Sequence, residues 1–314
     1  MHCKRQCVNS VGRTEAMIGP KAILRMIREM GSGRSRKVGE AEPEPSDYSE
    51  TTPRRKVVAP TDQLCGITDV GRVREHNEDA FYLSEDGRLL LVAEGMGGHE
   101  AGEIASALAI EAAAQFVTAE QRKVIDAGIQ PVEPLLMGAL DAAHSKVIEA
   151  SVTPQGHRDM GSALILAYLK SDRLYTCHVG DVRCYVLSGA TFQQITRDHS
   201  VVGALVQSGQ LTPEEARVHP KKNEILQAVG MPSGVVPEVN TRPLGNGDRV
   251  LLCSDGLWEA LPEAEIHSIV EWEGTMRQLA TQLVDRANCA GGFDNITVVL
   301  YGPHSSRGKD RLLK

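Results

Sequence analysis

Short apolar runs bounded by Gly, Asp or Asn recur from residue 64 onward. They predict strands at Leu64 to Asp69, Leu89 to Ala93, Ser162 to Leu169, Leu174 to Val179, Arg183 to Leu187, Arg249 to Ser254 and Asn295 to Leu300. Between them the period changes. Ala101 to Val117 and Pro134 to Ser151 are Ala-rich with apolar residues three and four apart, and Gly274 to Asn288 repeats that pattern, so three amphipathic helices are expected to cover sheet faces. The stretch LYTCHVGDVRCYVL reads as a hairpin turning at Gly180 and Asp181, which favours antiparallel pairing over a crossover fold. Thr212 and Pro213 give an N-cap and first-turn proline to a further short helix.

The ends of the chain follow different rules. Residues 31–60 are rich in Gly, Ser, Pro, Arg and Glu and carry too little apolar surface to offset ordering entropy, so they read as a disordered linker. Ahead of it, residues 1–30 hold a short basic amphipathic segment. Ile23, Met26, Ile27 and Met30 fall at helical spacing with Lys21, Arg25 and Arg28 between them. That segment is either a solvated, frayed helix or, through residues 16–30, a docking element for a partner or an anionic surface. One main domain is expected over residues 61–303, followed by a basic tail at 304–314.

Composition narrows the function. A chain of 314 residues with 41% apolar content buries a substantial core. A formal charge of -7 argues against a nucleic-acid surface, which needs clustered Lys and Arg. Cys3, Cys7, Cys65, Cys177, Cys184, Cys253 and Cys289 form an odd set without a C-x-x-C pair and read as reduced core thiols. With no bilayer-spanning apolar stretch and no apolar secretory leader, the expectation is a cytoplasmic protein.

Four acidic motifs lie far apart, each at the edge of an apolar run: NEDA with Glu78 and Asp79, VAEGMGG with Glu94, CSDGLW with Asp255, and GGFDNIT with Asp294. Each could be a loop-end acid solvated on its own. Carboxylates at strand ends are rarely buried without a partner, however, and several together suggest one shared cation site. Oxygen-only donors point to magnesium or manganese rather than zinc. Gly95, Gly97 and Gly98 permit backbone geometry closed to other residues and let a carbonyl or amide come close to an ion.

These motifs carry a resemblance that runs from about Leu64 to Tyr301. Together with TDVGRVREHNEDAFYL, LYTCHVGDVRCYVL, ITRDHSVVGALVQSGQLTPEEARVHP and DRVLLCSDGLWEAL, they are similar to the bacterial-type metal-dependent serine/threonine protein phosphatases of the 2C family. The resemblance implies an α+β fold: two antiparallel β-sheets packed as a central sandwich and flanked by helices on both sides. It implies hydrolysis of phosphoserine and phosphothreonine in proteins with two Mn2+ or Mg2+ ions, and a third ion in some members. Residue by residue, Glu94 falls on the bridging ligand with the Gly95 carbonyl beside it. Asp255 and Asp294 match ligands of one ion, Glu78 and Asp79 the side of the second, and Asp181 with Asp255 the third. Arg74 matches the arginine that holds the substrate phosphate, a task its planar guanidinium suits. His99 is a candidate to protonate the leaving alkoxide, while His76, His178 and His199 read equally well as structural histidines. Residues 201–230 match the flap beside the active site, where Lys221 and Lys222 could attract a phosphorylated peptide or form a solvated turn. An opposing serine/threonine kinase is the implied partner class.

One departure stands out: the family motif reads VADGMGG, and here Glu94 replaces the aspartate. The extra methylene moves the carboxylate by up to about 1.5 Å, and magnesium tolerates little distortion. Impaired catalysis is expected, and the alternative is a non-catalytic protein that uses the same fold to hold a phosphoprotein or kinase. Gln227, Val182, Ser162 and Ala163 also depart from common family residues.

Overall fold

The computed structural model describes residues 54–98, 100–153 and 159–302. The basic segment at 16–30, most of the expected linker, His99 and the tail at 304–314 lie outside them. Strands β1 (Arg55–Thr61), β2 (Leu64–Asp69), β3 (Asp79–Leu83) and β4 (Leu89–Met96) precede helices α1 (Glu100–Phe116), α2 (Ala119–Asp126) and α3 (Val132–Ser151). Next come β5 (Gly161–Lys170), β6 (Arg173–Val179), β7 (Arg183–Ser188) and β8 (Thr191–Gln194), then α4 (Val201–Gln207) and α5 (Pro213–Val218). The described residues close with β9 (Glu238–Pro243), β10 (Arg249–Cys253), α6 (Asp255–Trp258), α7 (Glu263–Glu271), α8 (Met276–Cys289) and β11 (Ile296–Tyr301).

The strands make two sheets, β1-β2-β11-β10-β7-β8 and β3-β4-β5-β6-β9, and every pairing is antiparallel. Their inner faces meet through Phe81, Leu90, Val92, Ile165, Val186, Leu252 and Val299. On the outer face of the five-stranded sheet, Leu89, Leu91, Leu164 and Leu166 pack under α1 and α3. On the outer face of the other sheet, Ile67, Leu251, Val298 and Leu300 pack under α7 and α8. This is the sandwich flanked by helices that the resemblance implied. Both faces of each central strand are covered, which is why LLLVA and RVLLC are continuous apolar runs rather than alternating ones.

The helices owe their positions to small residues and caps. Ala101, Ala105, Ala109 and Ala113, four apart, give α1 a flat buried stripe that approaches the sheet closely. Thr275 caps α8 by accepting from the Gln278 amide, and Gln278 reaches back, completing a capping box. Thr212 and Pro213 start α5 as expected.

Three expectations are corrected. β6 and β7 do not form a hairpin, because they belong to different sheets. Gly180 has φ +92° and a Cβ there would stand 2.3 Å from that of Ala163, so the chain turns across the sandwich instead of back on itself. The linker does not extend to Pro60: residues 55–61 form edge strand β1, whose ladder to β2 outweighs its polar composition, with a register shift between Val58 and Thr61. Among the cysteines, Cys65, Cys177, Cys184 and Cys253 are buried thiols, with burial pushing Cys65 up to about 11 and Cys177 and Cys184 up to about 12. Cys289, the last residue of α8, is exposed instead. No helix among the described residues is long and apolar enough to cross a membrane.

Candidate metal centre

The acidic motifs converge because antiparallel strands end together. Asp79 opens β3 and pairs across the ladder with Glu94 of β4. The Gly95 amide donates to the Glu78 carbonyl at 2.9 Å. From the other sheet, Asp255 begins α6 where β10 stops, Asp294 lies two residues before β11, and Asp181 lies in the crossing between β6 and β7. The glycine at 95 is a steric requirement, since a Cβ there would sit 2.0 Å from the Gly102 carbonyl of α1. Gly102 in turn makes room for Glu78, whose carboxylate would lie 2.0 Å from any added Cβ.

Buried polar residues hold the arrangement. Asn295, 3% exposed, accepts from the Glu78 amide at 2.8 Å and donates to the carbonyls of Val70 at 3.0 Å and His76 at 2.9 Å. It gathers the loop carrying Arg74 and Glu78 beside Asp294. The Ser254 hydroxyl donates to Asp79 at 2.6 Å and accepts from the Thr297 amide at 3.0 Å. Asn295→Ala is expected to lower stability by about 2–5 kcal/mol, because three backbone groups lose their partner at once. Urea unfolding measures this, and a loss under 1 kcal/mol, roughly one exposed bond, would show that the loop holds itself.

The electrostatics follow from crowding like charges away from water. Asp79 is pushed up to about 7, mainly by burial and further by Asp294 and Glu78, against the hydrogen bonds from Ser254 and Thr297. Asp181 is also pushed up to about 7, by burial first and Asp198 second. Burial, then Asp255, Asp181 and Asp79, hold Glu94 well above its ordinary range. Asp255 is raised the same way by burial, Asp181 and Asp294. In metal-free protein the folded state therefore binds protons that the unfolded chain has released. The sign is the reverse of a salt-bridged carboxylate: the contribution to stability is complete below the ordinary value of 3.8 and is lost as pH rises through about 7. Thermal melts in chelator should show Tm decreasing between about pH 5 and 7, and a rising Tm would contradict the buried acid cluster.

The donor set fits a hard divalent cation. Asp181 Oδ1 and Asp255 Oδ1 are shut off from solvent and have no hydrogen-bond partner, a costly condition that an ion would relieve. As they stand, no three Asp, Glu, His or Cys side chains among the described residues close into a finished ligand set. They lean on protein partners instead: Asp294 on Arg74 at 2.7 Å, Asp79 on Ser254, and Glu94 on the Asp255 amide at 3.1 Å.

The structure thus brings Glu78, Asp79, Glu94, Gly95, Asp181, Asp255 and Asp294 together with Arg74, whose charge is felt by Asp294, Glu78 and Asp255. Lys221 and Lys222 are each matched locally, by Glu224 at 3.2 Å and Glu259 at 2.6 Å. His178 is buried, bonds the Arg197 carbonyl at 3.0 Å and stacks on His199 at 4.8 Å between centroids, as structural histidines do. Sequence reasoning missed Asn295, Ser254 and Arg183. Arg183 grips Asp198 through two nitrogens, at 3.0 and 2.7 Å, and lies 3.6 Å over the Trp258 ring, bracing α6. The available signal was their position, since each polar side chain adjoins an acidic motif at a strand end.

The chain is similar to known proteins in sequence and in fold. The family model for protein phosphatase 2C matches residues 71–289. Protein phosphatase PhpP of Streptococcus pneumoniae is 38% identical over 239 residues, covering 74% of this chain and 94% of that protein. The serine/threonine phosphatase PstP/Ppp of Mycobacterium tuberculosis superposes with a TM-score of 0.68 at 35% identity, over 77% of this chain and 98% of that one. The catalytic domain of PstP, determined with two manganese ions, gives 0.65 at 34% identity over 76% and 96%.

Proposed function

From the premise that this chain belongs to the protein phosphatase 2C family, we propose that it hydrolyses phosphoserine and phosphothreonine in proteins at the acid cluster, with Mn2+ or Mg2+ as cofactor. The observation that carries the reading is the convergence of five motifs, remote in sequence, on one buried acid cluster that includes two unpartnered carboxylate oxygens and lies beside a half-exposed arginine. When bound, two divalent ions supply a nucleophilic water at neutral pH and screen the phosphoryl oxygens.

The chain's own residues divide the remaining work. Glu94, which stands opposite Asp79 and accepts from the Asp255 amide, would be a shared ligand, with the Gly95 carbonyl next to it. Asp255 and Asp294 would hold one ion, Glu78 and Asp79 the second, and Asp181 with Asp255 a third. Arg74, with 47% of its side chain exposed, keeps guanidinium donors for the phosphate while Asp294 fixes its position. His99 remains the candidate proton donor to the leaving alkoxide. Lys221 and Lys222 contribute to peptide binding only by exchanging their present acids for the substrate. The reading places the protein in the cytoplasm, opposite a serine/threonine kinase, with residues 16–30 as a docking element.

Glu94 favours a second reading, a scaffold that binds phosphoprotein without turnover. Phosphate release from a phosphothreonine peptide across a manganese titration separates the two. Turnover rising with manganese supports the enzyme; peptide binding without release at any concentration supports the scaffold.

A further inference from the structure

Two loops meet at the edge of the acid cluster, and each exposes a large apolar side chain there. Val73 is 60% exposed and Phe293 is 70% exposed. Each comes one residue before a member of the Arg74–Asp294 pair, which is closed at 2.7 Å. The Gly292 carbonyl fastens the loops together by accepting from the amides of Arg72 at 2.7 Å and Val73 at 3.2 Å. Phe293 has a defined seat: its ring lies over Gly291, where an added Cβ would meet it at 2.3 Å. Single exposed apolar residues are ordinary on protein surfaces. Here, however, two of them sit on separate loops, locked together, at the rim of the proposed phosphate site. Of the chain's four phenylalanines Phe293 is the most exposed, while Phe81 is buried at 8%.

A peptide laid across this edge with its phosphate at Arg74 brings the residue next to the phosphorylated one within reach of the rim. We infer that Val73 and Phe293 form an apolar contact for a large apolar side chain flanking the phosphorylated residue, and so set substrate preference. This inference rests on the phosphatase reading of the same site. Covering an exposed aromatic ring removes apolar area from water, and a side chain such as leucine covers more of it than alanine. The gain is made in binding, so it acts on KM more than on kcat.

The test uses the full chain with manganese and two phosphothreonine peptides that differ only in leucine or alanine at the flanking positions. The leucine peptide is expected to have about tenfold the kcat/KM of the alanine peptide, mainly through KM. Phe293→Ala should bring that ratio close to one, and Phe293→Leu should restore most of it. Because the ratio is taken within each variant, a loss of activity common to both peptides cancels. Equal kcat/KM for both peptides on the unmodified chain, or a preference surviving in the Val73→Ser/Phe293→Ala variant, overturns the inference. Should the unmodified chain release no phosphate from either peptide, the phosphatase reading fails separately. The same leucine-to-alanine ratio is then read in Kd by calorimetry, where equal values overturn the rim.

Discussion

Replacing Asp255 by asparagine is expected to lower phosphate release from a phosphothreonine peptide by about a thousandfold, as a loss of about 4 kcal/mol of transition-state stabilisation would. The residue sits where three influences meet. It opens α6, its amide donates to Glu94 at 3.1 Å, and its Oδ1 is buried without a partner. Asparagine keeps the volume and leaves the backbone amide in place, but it removes the negative charge that both Asp181 and Asp294 oppose. Metal-free protein should therefore be at least as stable as the unmodified chain, because one charge has left a repelling cluster. The rise in Tm on adding manganese should shrink, since that rise measures ion binding to the folded state. Activity within tenfold of the unmodified chain, with the manganese-dependent rise intact, would remove Asp255 from the ligand set.

Glu94→Asp is expected to act in the opposite direction, raising turnover by up to about a hundredfold, the scale on which a misplacement of about 1 Å matters. The longer side chain spends a carboxylate oxygen on the Asp255 amide, and β4 fixes its backbone by pairing with both β3 and β5. With the strand held on both sides, the extra methylene cannot be absorbed by the backbone, so it moves the carboxylate. Aspartate at this position draws the charge back toward the β4 backbone. The same manganese titration reads the result. Comparable turnover in both forms would show that the site has repacked around glutamate, and release from neither, with peptide still bound, would favour the scaffold.

Much of the architecture was legible because it is local. LLLVA, RVLLC and SALILAYL announce buried strands through unbroken apolar runs, and the alanines of α1 announce their stripe. β1 escaped because Pro60 and its charged neighbours read as linker, while its stability comes from the ladder to β2. β3 escaped because five residues, the first of them an aspartate, show little period. Gly180 and Asp181 resemble a hairpin turn in any local window. In the fold Gly180 packs against Ala163, seventeen positions earlier, the next strand joins the other sheet, and Asp181 comes beside Asp255.

The order of residues announces the chemistry on offer: oxygen donors at strand ends, a guanidinium near them, glycines where the backbone must come close, and the glutamate of VAEGMGG. Those properties belong to residue types and their spacing. The tertiary structure alone decided the rest. Arg74 meets Asp294 across 220 positions, Asn295 ties three strangers together, two carboxylate oxygens are left without partners, and Phe293 stays in water. Each of these is a property of pairs and of solvent access, and neither exists until distant segments share one volume.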